Sequence, residues 1–274
     1  MFGLQLTELA ELALALVVVG CLSGFLAGLL GIGGGIVVVP ALYFVLTAFG
    51  IAPDVQAHVA VGTSLATIIP TSILSMRTHY TKGAVDTDLL RRWALPVALG
   101  VLCGIAIAAS VKGATLTAVF GVVAAIVSAH MALTPEGTHL VAELPKAPML
   151  QLLGFGIGGL STLMGIGGGT LSVPVLSLCN FPTRRAVGTA SVIGLIIALP
   201  GALGFIWSGW NATGLPPLSL GYVWLIGFAL IVPSSILFAP YGARTAHTIN
   251  VVWLRKTFAL FLGLTALKML YAVL

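Results

Sequence analysis

Apolar residues in this chain run in long blocks rather than alternating with polar ones. Ten such blocks can be marked along it. In the first half they lie at about 9–30, 36–49, 57–76, 93–110 and 115–133. In the second they lie at about 148–164, 170–181, 186–207, 220–240 and 252–273. A run of about 20 apolar residues makes a helix long enough to cross a ~30 Å hydrocarbon core. The blocks therefore predict an all-α polytopic membrane protein. Two blocks are short, 36–49 with 14 residues and 170–181 with 12. At 1.5 Å per residue they rise about 21 and 18 Å, too little to span alone. They read as half-helices or re-entrant arms.

The two halves repeat. GIGGGIVVVP at 31–40 returns as GIGGGTLSVP at 165–174, an offset of 134. AVGTS at 60–64 returns within AVGTAS at 186–191, an offset of 126. Pro96 and Pro233 take similar places near the start of each fourth block. A repeat of this length suggests a duplicated membrane unit. Between the units, TPEGTHLVAELPKAP at 134–148 holds three prolines and reads as an exposed linker. The expected division is a first membrane repeat at 1–133, the linker at 134–148, and a second repeat at 149–274.

Basic residues orient the repeats. The loop after the third block carries Arg77, Lys82, Arg91 and Arg92, and its counterpart, SGWNATGLPPLSL, carries none. One loop earlier the bias reverses, because GIAPDVQ has none and its counterpart has Arg184 and Arg185. Equivalent loops thus lie on opposite sides, as five blocks per half require, and the repeats are inverted. Ten of the twelve basic residues share one side, with Lys112 and Lys268 the exceptions. By the positive-inside rule that side is cytoplasmic, the linker with it, and both termini lie outside.

Composition agrees with a bilayer protein. Hydrophobic residues make up 59% of the chain, charged ones 7%, and the mean hydropathy is +1.14. A soluble domain carries about 25% charged residues. The opening MFGLQLTELAELALALVVV has Glu8 and Glu11 but no Lys or Arg, so it lacks the basic start of a secretory signal and is expected to stay as a helix. The net charge of +5 is spread over short loops, which fits orientation rather than nucleic-acid binding. Cys21, Cys103 and Cys179 sit in apolar context without metal-ligand spacing or a disulfide framework.

The candidate chemistry lies in the repeated motifs. Gly31, Gly33, Gly34 and Gly35 weaken a helix, and Pro40 suits a helix start. One reading is irregular backbone from about Gly31 to Val39 with a short helix from Pro40, repeated at Gly165 to Val173 and Pro174. Irregular backbone at membrane depth must be shielded by protein or line a wet cavity. Its N–H groups beside a helix N-terminus make an anion site. Close helix packing is the competing explanation, and the four-residue spacing of Gly20, Gly24 and Gly28 and of Gly154 and Gly158 favours packing there. Thr63, Ser64, Thr189 and Ser191 could donate to the same anion, or bond back to their own helix.

Absences narrow the function. GIGGGI is neither G-x-G-x-x-G nor a P-loop, and no hydrolytic motif occurs, so no enzyme, catalytic residue, metal or cofactor is expected. All seven acids fall at block ends or in loops, which disfavours a cation or proton path. His58, His79 and His130 lie near block ends and read as interfacial or structural. The expected site is Gly33, Gly34, Gly35, Thr63 and Ser64 with Gly167, Gly168, Gly169, Thr189 and Ser191. A passive anion channel and a non-transporting membrane scaffold remain alternatives.

SGFLAGLLGIGGGIVVVPAL, its echo GGLSTLMGIGGGTLSVPVL, the two AVGT motifs, and HYTKGAVD at 79–86 resemble the TauE/SafE family of sulfite-exporter and toluene-sulfonate-uptake permeases. The pattern covers nearly the whole chain. The resemblance implies an inner-membrane transporter of sulfur-containing anions such as sulfite, thiosulfate or organosulfonates, and the inverted repeats suggest that it works by alternating access. It also implies pathway roles for Gly33 to Gly35, Gly167 to Gly169, Thr63, Ser64 and Thr189. Ala190 stands where the first repeat has Ser64, so the half-sites are not chemically equal.

Overall fold

Each apolar block is an α-helix in the computed structural model, which describes residues 6–30, 34–134, 139, 141–245 and 251–273. The first half contains α1 (Leu6–Leu30), α2 (Gly35–Ala48), α3 (Pro53–Thr81), α4 (Thr87–Ser110) and α5 (Gly113–Leu133). The second contains α6 (Met149–Met164), α7 (Gly168–Leu178), α8 (Thr183–Ser208), α9 (Leu225–Thr245) and α10 (Val251–Tyr271). Two short strands, β1 (Ser219–Leu220) and β2 (Val223–Trp224), pair antiparallel before α9. Helix is the form in which a chain in lipid satisfies its own N–H and C=O groups. Residues before the apolar blocks start the helices: Pro53 sits at the first position of α3, and the Asp86 carboxylate accepts from Leu89 N–H to cap α4.

The glycine breaks are shorter than the expected Gly31–Val39 and Gly165–Val173. α2 already begins at Gly35 and α7 at Gly168, so Pro40 and Pro174 lie inside helices rather than starting them. The physical reason is the same accounting. A prolonged irregular stretch orphans more backbone groups than a helix that tolerates one proline.

Equivalent helices pack in mirrored pairs. Gly20, Gly24 and Gly28 of α1 face Ile231, Ser235 and Ala239 of α9, so these helices run parallel. Gly154 and Gly158 of α6 face Trp93 and Val97 of α4 in the same order. By contrast α3 and α8, which carry the two AVGT motifs, run antiparallel: Leu65 faces Gly201 and Ser72 faces Gly194. α5 and α10 do the same, with Gly121 near Ala266 and Ser128 near Gly263. A helix antiparallel to its own equivalent means that the two halves point in opposite directions. Small residues at the seams let backbones approach, which drives association where lipid offers no hydrophobic force. Large apolar side chains such as Leu14, Leu102, Leu133 and Leu203 remain exposed on the outside, where acyl chains cover them.

The α4–α6 seam makes a direct test. A Cβ on Gly158 would lie 3.0 Å from the Val97 carbonyl carbon, whereas nothing lies within 4 Å of one on Gly156. Gly158→Leu is expected to destabilise the protein by about 1–3 kcal/mol or more. Gly156→Leu should leave the thermal unfolding midpoint in detergent unchanged.

Candidate anion cavity

The second break is a tight turn between α6 and α7. Gly165 ends α6 with a φ of 66°, the left-handed region where glycine has no Cβ penalty. The Gly165 and Ile166 N–H groups donate back to Thr162 and Ser161 carbonyls at 3.2 and 3.0 Å. Gly167 is extended and α7 starts at Gly168. In the first half Gly34 precedes α2, while Gly31 to Gly33, and with them the expected site residue Gly33, lie outside the described residues. The start of α2 meets the second break. A Cβ on Gly35 would lie 2.8 Å from the Gly165 carbonyl oxygen and 3.0 Å from the Ile166 Cα.

Where they meet is a partly open cavity of about 150 Å³. A water needs roughly 10–15 Å³ of such space, so several waters or a small oxyanion fit. Gly34, Gly35, Gly167, Gly168, Gly169 and Ser191 line it, all of them expected site residues. The rest of its polar wall comes from α3, with Thr67, Thr71, Ser72 and Ser75, and from Ser23 of α1 and Ser235 of α9. Among the described residues no charged side chain lines it. Both α2 and α7 begin at its wall. First-turn N–H groups have no carbonyl ahead of them in the helix, and the macrodipole places about half a positive charge there. The cavity is thus uncharged and electrostatically positive, and because the hydroxyls of Ser23, Thr67, Thr71 and Ser191 donate to carbonyls of their own helices, the donors it offers are chiefly first-turn N–H groups.

Thr63, Ser64 and Thr189 lie elsewhere. Their oxygens join the two halves instead of lining the cavity. Thr63 Oγ1 accepts from the Trp224 N–H at 2.9 Å, and Thr189 Oγ1 accepts from the Asp86 N–H at 2.8 Å. Ser64 Oγ donates to the Gly165 carbonyl at 2.7 Å. The threonine bonds are mirror images. Tyr222 N–H donates to the Phe205 carbonyl at 3.2 Å, as Ala84 N–H does to the His79 carbonyl at 3.0 Å. Thus GAVD at 83–86 and GYVW at 221–224 are the same clamp, each gripping the AVGT helix of the opposite half. Four-residue matches this weak do not stand out in a sequence, and only the paired hydrogen bonds reveal this one.

The clamps differ in their surroundings. Around Tyr222 the seal is aromatic. Its ring stacks on His58 at 4.8 Å between centroids, with Phe205 6.4 Å from both. Burial pushes the Tyr222 hydroxyl above its ordinary pKa. At the other clamp Arg185 pairs with Asp86 at 3.2 Å and Arg184 donates to the Lys82 carbonyl at 3.3 Å. The hydroxyls of α3 that the cavity does use carried a readable signal. Thr67, Thr71 and Ser75 recur every four residues and so share one helix face.

Thr63→Val and Thr189→Val each strand a buried N–H and are expected to cost about 1–3 kcal/mol. Thr→Ser at either position keeps the acceptor and should retain most stability in a detergent melt.

The family model described as sulfite exporter TauE/SafE matches residues 16–269. A probable membrane transporter protein of Haemophilus influenzae is 33% identical over 253 residues, covering 92% of this chain and 95% of that one. One from Methanocaldococcus jannaschii is 29% identical over 263 residues, covering 93% and 94%. The Bacillus subtilis protein YunE, also named a probable membrane transporter, is 27% identical over 270 residues, covering 90% and 94%. No solved structure matches.

Proposed function

Because the chain belongs to the sulfite exporter TauE/SafE family and is a multi-pass membrane transporter, we propose that it exports small sulfur-containing anions through this cavity. Sulfite, thiosulfate and organosulfonates are the class intended. The observation that carries the reading is an uncharged, hydroxyl-lined cavity at two helix N-termini. Stripping water from an anion costs several kcal/mol, and the free first-turn N–H groups at the positive helix ends offset part of that loss. The same positive helix ends repel a cation.

Alternating access follows from a mirrored fold with an unmirrored cavity. Ser72 and Ser75 line the cavity, and their equivalents on α8 at the 126-residue offset are Ala198 and Gly201. Ala198 is buried and Gly201 packs on Leu65, so the mirrored volume is filled. The cavity lies toward the ends of α3, α8 and α9 that carry Arg77, Lys82, Arg184, Arg185 and Arg244. In the proposed orientation that side is cytoplasmic, the membrane is the inner one and both termini lie outside. The structure is then the inward-facing state of two inverted repeats, and rocking one half against the other gives the outward one. The repeats are taken as 1–133 and 149–274, joined by the cytoplasmic linker 134–148.

Flux of labelled sulfite, thiosulfate and sulfoacetate into proteoliposomes tests the cargo and the site. Gly167→Ala adds a methyl group at the cavity wall in ordinary contact with Ile68, at a φ of −73° that alanine accepts. It should fold normally and lower flux roughly tenfold. Thr71→Asp places a negative charge against the cavity and should nearly abolish anion flux. Wild-type rates from both variants would remove the cavity from the pathway.

A further inference from the structure

We propose that the groove between α4 and α6, at the basic end of the bundle, binds one anionic phospholipid whose phosphate sits on Arg91 and Arg92. This is independent of the cargo, since neither arginine lines the anion cavity. The groove follows from the seam. A Cβ on Gly104 would lie 2.9 Å from the Gly159 carbonyl oxygen, so the helix backbones nearly touch. Side chains flanking such a close crossing stand apart, and here they leave a groove of about 470 Å³. Leu95 and Leu99 form one wall, Leu152 and Phe155 the other, and all four are at least 40% exposed. Trp93 Nε1 donates to the Leu150 carbonyl at 2.8 Å and pins the two helices beside it.

Apolar walls alone would meet any acyl chain. The cap makes this groove selective. α4 and α6 run parallel and start at the same end, so Arg91, Arg92 and Gln151 stand above the leucines at headgroup level. Arg92 has no carboxylate partner among the described residues. Arg91 lies 4.0 Å from Asp88, but both side chains are more than 80% exposed and such a pair holds little. Two guanidinium groups present the forked donors that suit a phosphate diester. The mirrored α9–α1 seam shows that packing does not require them. Ala229, Leu230 and Val17 stand where this seam has Arg91, Arg92 and Gln151. A charge above a lipid-facing groove at only one end of a mirrored fold points to the leaflet on that side.

Native mass spectrometry of the full chain, equilibrated with equal phosphatidylglycerol and phosphatidylcholine, tests this. The wild type should retain phosphatidylglycerol preferentially. The double variant R91Q/R92Q should weaken that retention about 10- to 30-fold and leave phosphatidylcholine unchanged. Arg77→Gln, a basic residue on the same side but off the groove, should change nothing. Equal retention of the two lipids by the wild type would overturn the proposal, as would undiminished phosphatidylglycerol on the double variant. Competition by inorganic phosphate alone would also overturn it, because the groove would then contribute nothing. If the double variant fails to insert, Leu152→Trp fills the groove with both arginines in place. Phosphatidylglycerol retention must then fall, and unchanged retention sinks the idea.

Discussion

A backbone N–H or C=O exposed to lipid has nothing to bond with, and this protein depends on how it meets that constraint at its two breaks. Each interruption must be sheltered by protein. Here the second is sheltered by the first half. The Gly165 carbonyl receives the Ser64 hydroxyl from α3, and Gly35 packs against the same carbonyl. With Gly35 packed against the second break, the first turns of α2 and α7 are brought to one place, and the cavity between them is a consequence.

The same logic explains why the halves interlock rather than sit side by side. Each AVGT threonine accepts a backbone N–H from the loop of the other half. Those loops precede α4 and α9, which in turn lie along α6 and α1 across closely packed glycine seams. The mirrored bonds hold the framework in register. The side chains placed on it need not be mirrored, and they differ where function needs one end to differ from the other. His58, Phe205 and Tyr222 form an aromatic cluster at one clamp, while the other carries Arg185 paired with Asp86.

Hydroxyl groups divide between two tasks that the motif does not separate. Thr63 and Thr189 are adjacent to glycines that admit the partner loop, so their oxygens meet backbone donors before any solute. Thr71 and Ser75 sit two and three turns further along the same helix face as Ser64 and face the cavity instead. Ser191 does line the cavity, but its hydroxyl donates to the Gly188 carbonyl at 2.7 Å, leaving its oxygen toward the space.

The chain pattern by itself determined helices α1 to α10, their approximate ends, the duplication and the glycine break before α7. Each rests on composition over a local window, where apolar length and glycine clustering act without reference to the rest of the chain. The inversion was legible too, because loop charge is a local count. The assignment of Thr63, Ser64 and Thr189 was not, since a hydroxyl serves whichever partner folding brings within 3 Å. Nor were the clamp at 83–86 and 221–224, the early starts of α2 and α7, or the α4–α6 groove. Those depend on which backbones approach across 100 or more residues of chain. Only tertiary structure decides that, because hydrogen bonds and close packing act over ångströms in space and are blind to separation in sequence.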